Sequence, residues 1–328
     1  MPDETALREG VERDSARAQA LLSEVGRAVI GQRSLLEHML LGVLCEGHVL
    51  LEGVPGLGKT LAARSFATAV EGRFARIQFT PDLLPGDLTG TEVFDPEGRR
   101  FVPRLGPIVT NILLADEINR APAKVQSALL EAMEERQVTI GGTTFPLPRP
   151  FLVLATENPI ELEGTYPLPE AQVDRFLFKA LVGYPGHGDE RAVVDAHLAS
   201  EPPAVRPVLT LAELAEMAAT VRTVHVDARI REYCVRLVRS TRNGGRETLS
   251  ALQRWVRYGA SPRAALGLAL GSQALALVRG RSYVIPEDVK EIAPAVLRHR
   301  LIFTLEAQAE DVDVEGLIGE LLLAVEVP

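Results

Sequence analysis

The chain has 328 residues, enough at about 150 residues per domain for two domains that each bury a core. Apolar residues make up 46% and charged residues 24%, which excludes disordered, collagen-like and disulfide-scaffold chains. The formal net charge of −9 excludes a chain held to nucleic acid by bulk positive charge, and residues 301–328 carry seven acidic residues with no Lys or Arg.

In chain order, apolar spacing predicts helices over 15–29 and 34–45, a short buried strand over 48–53 and a helix over 59–70. Further apolar strands are expected at 76–80, 112–116, 151–156 and 176–182, with helices between several of them. Such alternation predicts a parallel sheet covered on both faces. Strand signals stop after residue 183. A Pro-rich stretch, 201–207, then leads into helices over 211–219, 228–242, 262–279 and 286–299. Thr210 and Asp227 are expected as N-caps, and Ser261 before Pro262 has the cap-then-proline order of a helix start. Ile285 precedes Pro286 without a side-chain cap.

Cys45 and Cys234 read as small buried hydrophobes in a reducing compartment. Residues 1–33 are polar and periodic, unlike a secretory leader. The longest uncharged run, 264–278, is shorter than the roughly 18 apolar residues of a membrane span. The expectation is a soluble, cytoplasmic protein with no membrane span.

Gly53-Val54-Pro55-Gly56-Leu57-Gly58-Lys59-Thr60 matches G-x-x-x-x-G-K-[ST] between a predicted strand and a predicted helix, as a phosphate-binding loop requires. Its backbone N–H groups and the helix N-terminus favour anions. Lys59 is placed to reach the β and γ phosphates and the Thr60 hydroxyl to bind Mg²⁺. The chain has four lysines among 35 basic residues, so a lysine at this position stands out. The strand 112–116 ends in Asp116-Glu117: Asp116 is expected to hold Mg²⁺ through its water shell, and Glu117 to polarise the attacking water. Asn158, after the strand 151–156, could orient that water without adding charge. The six histidines show no metal-ligand spacing, so Mg²⁺ is expected to arrive with the nucleotide.

Several longer stretches accompany these motifs: Val29-Ile30-Gly31-Gln32, residues 78–85, Leu114-Ala115-Asp116-Glu117-Ile118-Asn119-Arg120-Ala121-Pro122, residues 163–176 ending in Asp174-Arg175-Phe176, Ser261-Pro262-Arg263-Ala264, and residues 294–300. With them the chain closely resembles the MoxR family of AAA+ ATPases, in the helix-2-insert clade, over nearly its whole length. The resemblance implies an α/β fold: a P-loop AAA+ core (1–200) with a five-stranded parallel sheet between helices, followed by a smaller all-helical lid (201–328). Two insertions are implied, 86–106 and 136–149, and Gly141-Gly142 independently reads as the turn of a hairpin within the second. That hairpin could line a ring's pore or be a structural edge. The residues before Asn158 and in 161–164 depart slightly from the family pattern, at Glu157 and Leu162.

By position, the resemblance makes Asn158 sensor 1, Arg263 sensor 2 and Arg175 the arginine finger offered to a neighbouring subunit. Arg120 is a second candidate for a contact in trans. Val29, Ile30 and Gly31 would lie against adenine. The ATP site would comprise Gly53, Pro55, Gly56, Leu57, Gly58, Lys59, Thr60 and Leu61 with Asp116 and Arg263; Thr60 and Asp116 would hold Mg²⁺, and Lys59, Glu117, Asn158 and Arg175 would be catalytic. The implied function is an ATP-hydrolysing homo-oligomeric ring, a hexamer, that remodels or activates client proteins, in the family often ones with a von Willebrand factor A domain. Two other readings are a nucleic-acid-translocating motor and a nucleotide-gated scaffold with little turnover. The first insertion sets Arg99, Arg100 and Arg104 against Asp87, Glu92, Asp95 and Glu97, and no aromatic stacking platform is expected beside them, which speaks against direct nucleic-acid binding. The acidic segment 301–328 reads as an amphipathic end of the lid and a docking face for a basic partner.

Overall fold

A computed structural model describes residues 4–158, 164–198, 203–242 and 250–328. The start of the 163–176 motif, the Leu162 departure and residues 201–202 of the Pro-rich stretch lie outside the described residues. The chain forms two compact units, Gln19–Arg175 with Ala180–Ala215, and Met1–Ala18 with Phe176–Lys179 and Glu216–Pro328. The strands in chain order are β1 (Val49–Glu52), β2 (Phe74–Gln78), β3 (Gly90–Asp95), β4 (Arg100–Leu105), β5 (Ile112–Asp116), β6 (Gln137–Ile140), β7 (Thr143–Pro146), β8 (Leu152–Glu157), β9 (Phe178–Leu181), β10 (Val256–Tyr258) and β11 (Ile302–Phe303).

In the first unit the five-stranded parallel sheet has the order β2-β5-β8-β1-β9. Its middle strands are the near-continuous apolar runs of the sequence: Val49, Leu50 and Leu51, Ile112 to Ala115, and Leu152 to Ala155 are all buried. Apolar side chains pointing to both faces demand cover on both, which explains why helices alternate with these strands. Phe66, Phe79 and Phe151 complete that core. β2, at the sheet edge, is mostly half-exposed, so its polar side chains Arg76 and Gln78 cost little there.

Each of the two segments expected as insertions contains a hairpin. β6 and β7 pair around Gly141 and Gly142, whose φ values of +56° and +80° suit the two-residue turn that Gly-Gly favours. Val138, Ile140 and Leu147 of this hairpin are buried. β3 and β4 form the first insertion, with Phe94 opposite Phe101. These rings meet edge to face at 5.4 Å and are 51% and 64% exposed. The first insertion thus presents an aromatic pair, correcting the expectation that no aromatic platform accompanies its arginines. Strand pairing brings together two phenylalanines seven positions apart, which no local pattern signals.

Among the described residues of 216–328, the chain is helical apart from a short antiparallel ladder of β10 with β11 and an isolated bridge between His225 and Tyr283. Its helices start where capping chemistry places them. Asp227 accepts from the Arg229 N–H and Ser261 from the Arg263 N–H; in the first unit Thr210 and Glu213 cap each other reciprocally. Ile285 makes no side-chain cap, and Asp288 accepts the Ile285 N–H at 2.9 Å. The helix Pro262–Val278, uncharged from Ala264 onward, is a packing helix, with Leu268, Leu275 and Leu277 buried. Among the described residues no helix is long and apolar enough to cross a membrane. The acidic segment forms helices Leu305–Ala309 and Val314–Ala324 and buries Leu317, Ile318 and Leu321. Arg298 forks onto Glu315 at 2.7 and 2.8 Å, and Arg254 reaches Glu310 at 3.3 Å, so part of that acidity is matched internally.

Candidate active site

Three chain segments far apart in sequence meet because three adjacent strands run parallel and in step. Leu50 registers with Ala155 and Ala115 with Ala155, so the C-terminal ends of β1, β8 and β5 open onto one edge of the sheet, where open parallel sheets bind ligands. There Gly53, Asn158 and Asp116 follow or close their strands. A cavity of about 270 Å³ is lined by Pro55 to Leu61 together with Arg76, Gln78, Asp116, Glu117, Thr156 and Asn158.

The loop leaves β1 at Gly53, where a Cβ would lie 2.5 Å from the Val182 carbonyl oxygen; close strand approach alone requires glycine here. Gly56 and Gly58 have φ of +88° and +77°, the left-handed conformation that keeps N–H groups turned inward. Gly58 caps the helix Lys59–Ala69, whose first N–H groups have no intrahelical partner. Lys59 donates to the Gly53 carbonyl at 2.5 Å. Burial pulls its pKa below the ordinary lysine value, while Asp116, Glu117 and Glu52 act in the opposite direction.

Asp116 is held on both carboxylate oxygens. Its Oδ1 accepts from Thr156 Oγ1 at 2.6 Å, and its Oδ2 accepts from Arg76 Nη2 at 2.7 Å and Nε at 3.0 Å. The Thr156 hydroxyl in turn accepts the Glu117 N–H at 2.8 Å. Glu117 has φ +56°, a costly left-handed conformation for a residue with a side chain, and that hydrogen bond helps fix it. Its carboxylate accepts from Gln78 Nε2 at 2.8 Å and pairs with Arg120 Nε at 2.9 Å. Asn158 is buried beside them.

Sequence reasoning missed Arg76, Gln78 and Thr156 as site residues. The available signal was weak: two polar residues at i, i+2 on one strand, and one hydroxyl closing an apolar run.

The donor set suits Mg²⁺. The Thr60 hydroxyl and Asp116 carboxylate are hard oxygen ligands, and among the described residues no cluster of three His, Cys, Asp or Glu could cage a metal. A cation held by one or two protein oxygens and completed by phosphate oxygens and water is how Mg²⁺ is usually bound.

A second, more apolar cavity of about 660 Å³ adjoins the loop, lined by Val29, Ile30, Pro55 to Gly58, Leu61, Tyr184, Val193, Val194 and His197 among others. A flat base fits such a lining. Gly31, at φ +75°, packs instead against Pro185 and Asp189. Arg175 pairs with Glu134 at 3.0 Å and lines a third hollow with Ser127, Glu131, Glu135 and Gln172. Arg263 belongs to the other unit, in the first turn of the helix Pro262–Val278, its N–H bonded to Ser261 Oγ.

A phosphate-binding loop after β1 with an acidic pair at the end of β5, one strand removed across β8, on a β2-β5-β8-β1-β9 parallel sheet followed by a helical unit, defines a AAA-type ATPase with its lid. The chain matches the ATPase family associated with various cellular activities (AAA) over residues 48–178 and the AAA lid domain over 249–320. It is 50% identical over 320 residues to Chaperone MoxR1 of Mycobacterium tuberculosis, covering 98% of this chain and 85% of that one. It is 32% identical over 309 residues to Protein MoxR of Paracoccus denitrificans, covering 88% of each. A crystal structure from Cytophaga hutchinsonii superposes with a TM-score of 0.93 at 42% identity, covering 99% of this chain and 98% of that one. The chain belongs to the MoxR family of AAA+ ATPases.

Proposed function

We propose that the chain is a cytoplasmic Mg²⁺-dependent ATP hydrolase that works as a hexameric ring and remodels or activates client proteins, with von Willebrand factor A domain proteins as the client class. The observation that carries the hydrolytic part is the placement of Lys59, Thr60, Asp116, Glu117 and Asn158 around one cavity. Val29, Ile30, Leu57 and Leu61 hold the base. The loop N–H groups and Lys59 bind the phosphates, and Thr60 and Asp116 hold Mg²⁺, which when bound neutralises phosphate charge. Glu117 accepts a proton from the water that attacks the γ phosphorus; the bond to the β–γ bridging oxygen breaks, leaving ADP and phosphate. Asn158 orients that water, and Arg263 contacts the γ phosphate from the lid. Arg175 acts on the nucleotide of the neighbouring subunit, a contribution that in trans is worth about 10³ to 10⁵ in rate.

The test is a pair of variants. Glu117→Gln is expected to bind ATP and barely hydrolyse it, and Lys59→Ala to bind poorly. Full hydrolytic activity in either removes the site assignment. Client proteins trapped on the Glu117→Gln variant in ATP, then identified by mass spectrometry, test the client class.

A further inference from the structure

We propose that Arg76 is the resident counter-cation of Asp116, so that it strengthens binding of metal-free nucleotide and weakens the coupling between nucleotide and Mg²⁺. The proposal rests on the nucleotide-site reading above.

Arg76 stands on the edge strand β2, with its side chain 46% exposed, and lines the same cavity as Lys59, Thr60 and Asp116. Both Nε and Nη2 converge on Asp116 Oδ2, and Nη2 also reaches Gln78 Oε1 at 2.9 Å. Because Thr156 takes Asp116 Oδ1, each oxygen of the carboxylate already has a protein donor. The carboxylate therefore meets a cation with only its remaining lone pairs and with its charge largely balanced. A guanidinium holds carboxylates through a rigid fork.

Two opposite consequences follow. A nucleotide without metal is strongly anionic, and Arg76 adds to the positive charge that Lys59 and the helix N-terminus offer it. A divalent cation at Asp116 meets repulsion from the same guanidinium. Removing Arg76 should therefore weaken one binding event and strengthen the other. A residue that served only to build the strand would move both together.

The experiment measures the Kd of the full chain for mant-ADP by fluorescence, in EDTA and in saturating Mg²⁺, for wild type, Arg76→Gln and Arg76→Lys. An opposite charge at this range shifts an ionic equilibrium substantially, less so at a half-exposed site, so the Kd in EDTA should rise about three- to tenfold in Arg76→Gln. The ratio of the EDTA Kd to the Mg²⁺ Kd should rise as well. Arg76→Lys keeps the charge and should keep the ratio near wild type. Thermal unfolding confirms that each variant is folded. A ratio that is unchanged or lower in Arg76→Gln overturns the proposal while leaving the nucleotide site standing. Failure of the wild type to bind mant-ADP in either medium overturns the site reading, and this proposal with it.

Discussion

Thr156 donates its hydroxyl proton to Asp116 at 2.6 Å and accepts the Glu117 N–H at 2.8 Å. One side chain on β8 thereby fixes both the Asp116 carboxylate and the backbone that aims the Glu117 carboxylate. Neighbouring parallel strands make this possible, since Ala115 and Ala155 register directly and place the following residues side by side.

Thr156→Val keeps the shape and removes both hydrogen bonds. ATP hydrolysis is expected to fall about 10- to 100-fold, the usual cost of losing a partner that orients a metal ligand, with nucleotide affinity little changed. Thr156→Ser should restore most of the loss. Phosphate release and mant-ADP binding, measured side by side, separate this from a general weakening of the site; equal losses in both would contradict the positioning role.

Arg175 is paired with Glu134 at 3.0 Å, with both side chains about a third exposed. Such a pair is worth only about 0–1 kcal/mol, so a neighbouring nucleotide can draw the guanidinium away at small cost. Mixing Arg175→Ala subunits with wild type should reduce ATP hydrolysis by more than dilution. A loss strictly proportional to the variant's share would show that Arg175 acts within its own subunit.

The fold was largely legible because its central strands are apolar runs with nothing else to be. β5 has the bounds its pattern predicted, 112–116. Apolar spacing predicts the first helix from residue 15, yet it spans Glu4–Ala28, because Asp14 sits at a core position and breaks the apolar pattern. β3 and β4 escaped for the opposite reason: they are mostly exposed and are held by cross-strand pairing, which leaves no burial rhythm. In the site, the phosphate loop and Asp116-Glu117 are contiguous motifs. Arg76, Gln78 and Thr156 reach the acidic pair across strands about 40 positions away, a relation only the strand register reveals.

Asp14 has a fully buried side chain that accepts from Arg13 Nε at 3.0 Å, Arg17 Nη1 at 3.1 Å and Thr220 Oγ1 at 2.6 Å. Burial alone would raise its pKa, but the hydrogen bonds from Arg13 and Thr220 and the charge of Arg13 together hold it below the usual carboxylate value. Its stabilising contribution is thus present above the unfolded-state pKa and is lost as pH falls through the folded one. Asp14→Ala leaves Arg17 and Thr220 without this acceptor and should cost about 3 kcal/mol, read from urea unfolding at pH 7. A loss below about 0.5 kcal/mol, the usual scale of a surface change, would show that the cluster is solvated.

His48 is buried, its Nδ1 accepting the Val153 N–H at 3.0 Å and its Nε2 3.3 Å from the Met133 carbonyl. That arrangement fits only the neutral ring: a protonated Nδ1 would face a donor. Burial, reinforced by the charge of Arg136 and opposed by the Met133 contact, pushes the pKa from 6.5 down to about 3. Between these values the unfolded chain binds a proton that the folded chain refuses. The contribution is therefore complete above pH about 6.5 and declines as pH falls toward 3. His48→Gln keeps one acceptor and one donor but cannot titrate. Unfolding midpoints at pH 7 and pH 5 should drop less in this variant than in wild type; parallel drops would place the acid sensitivity on other groups.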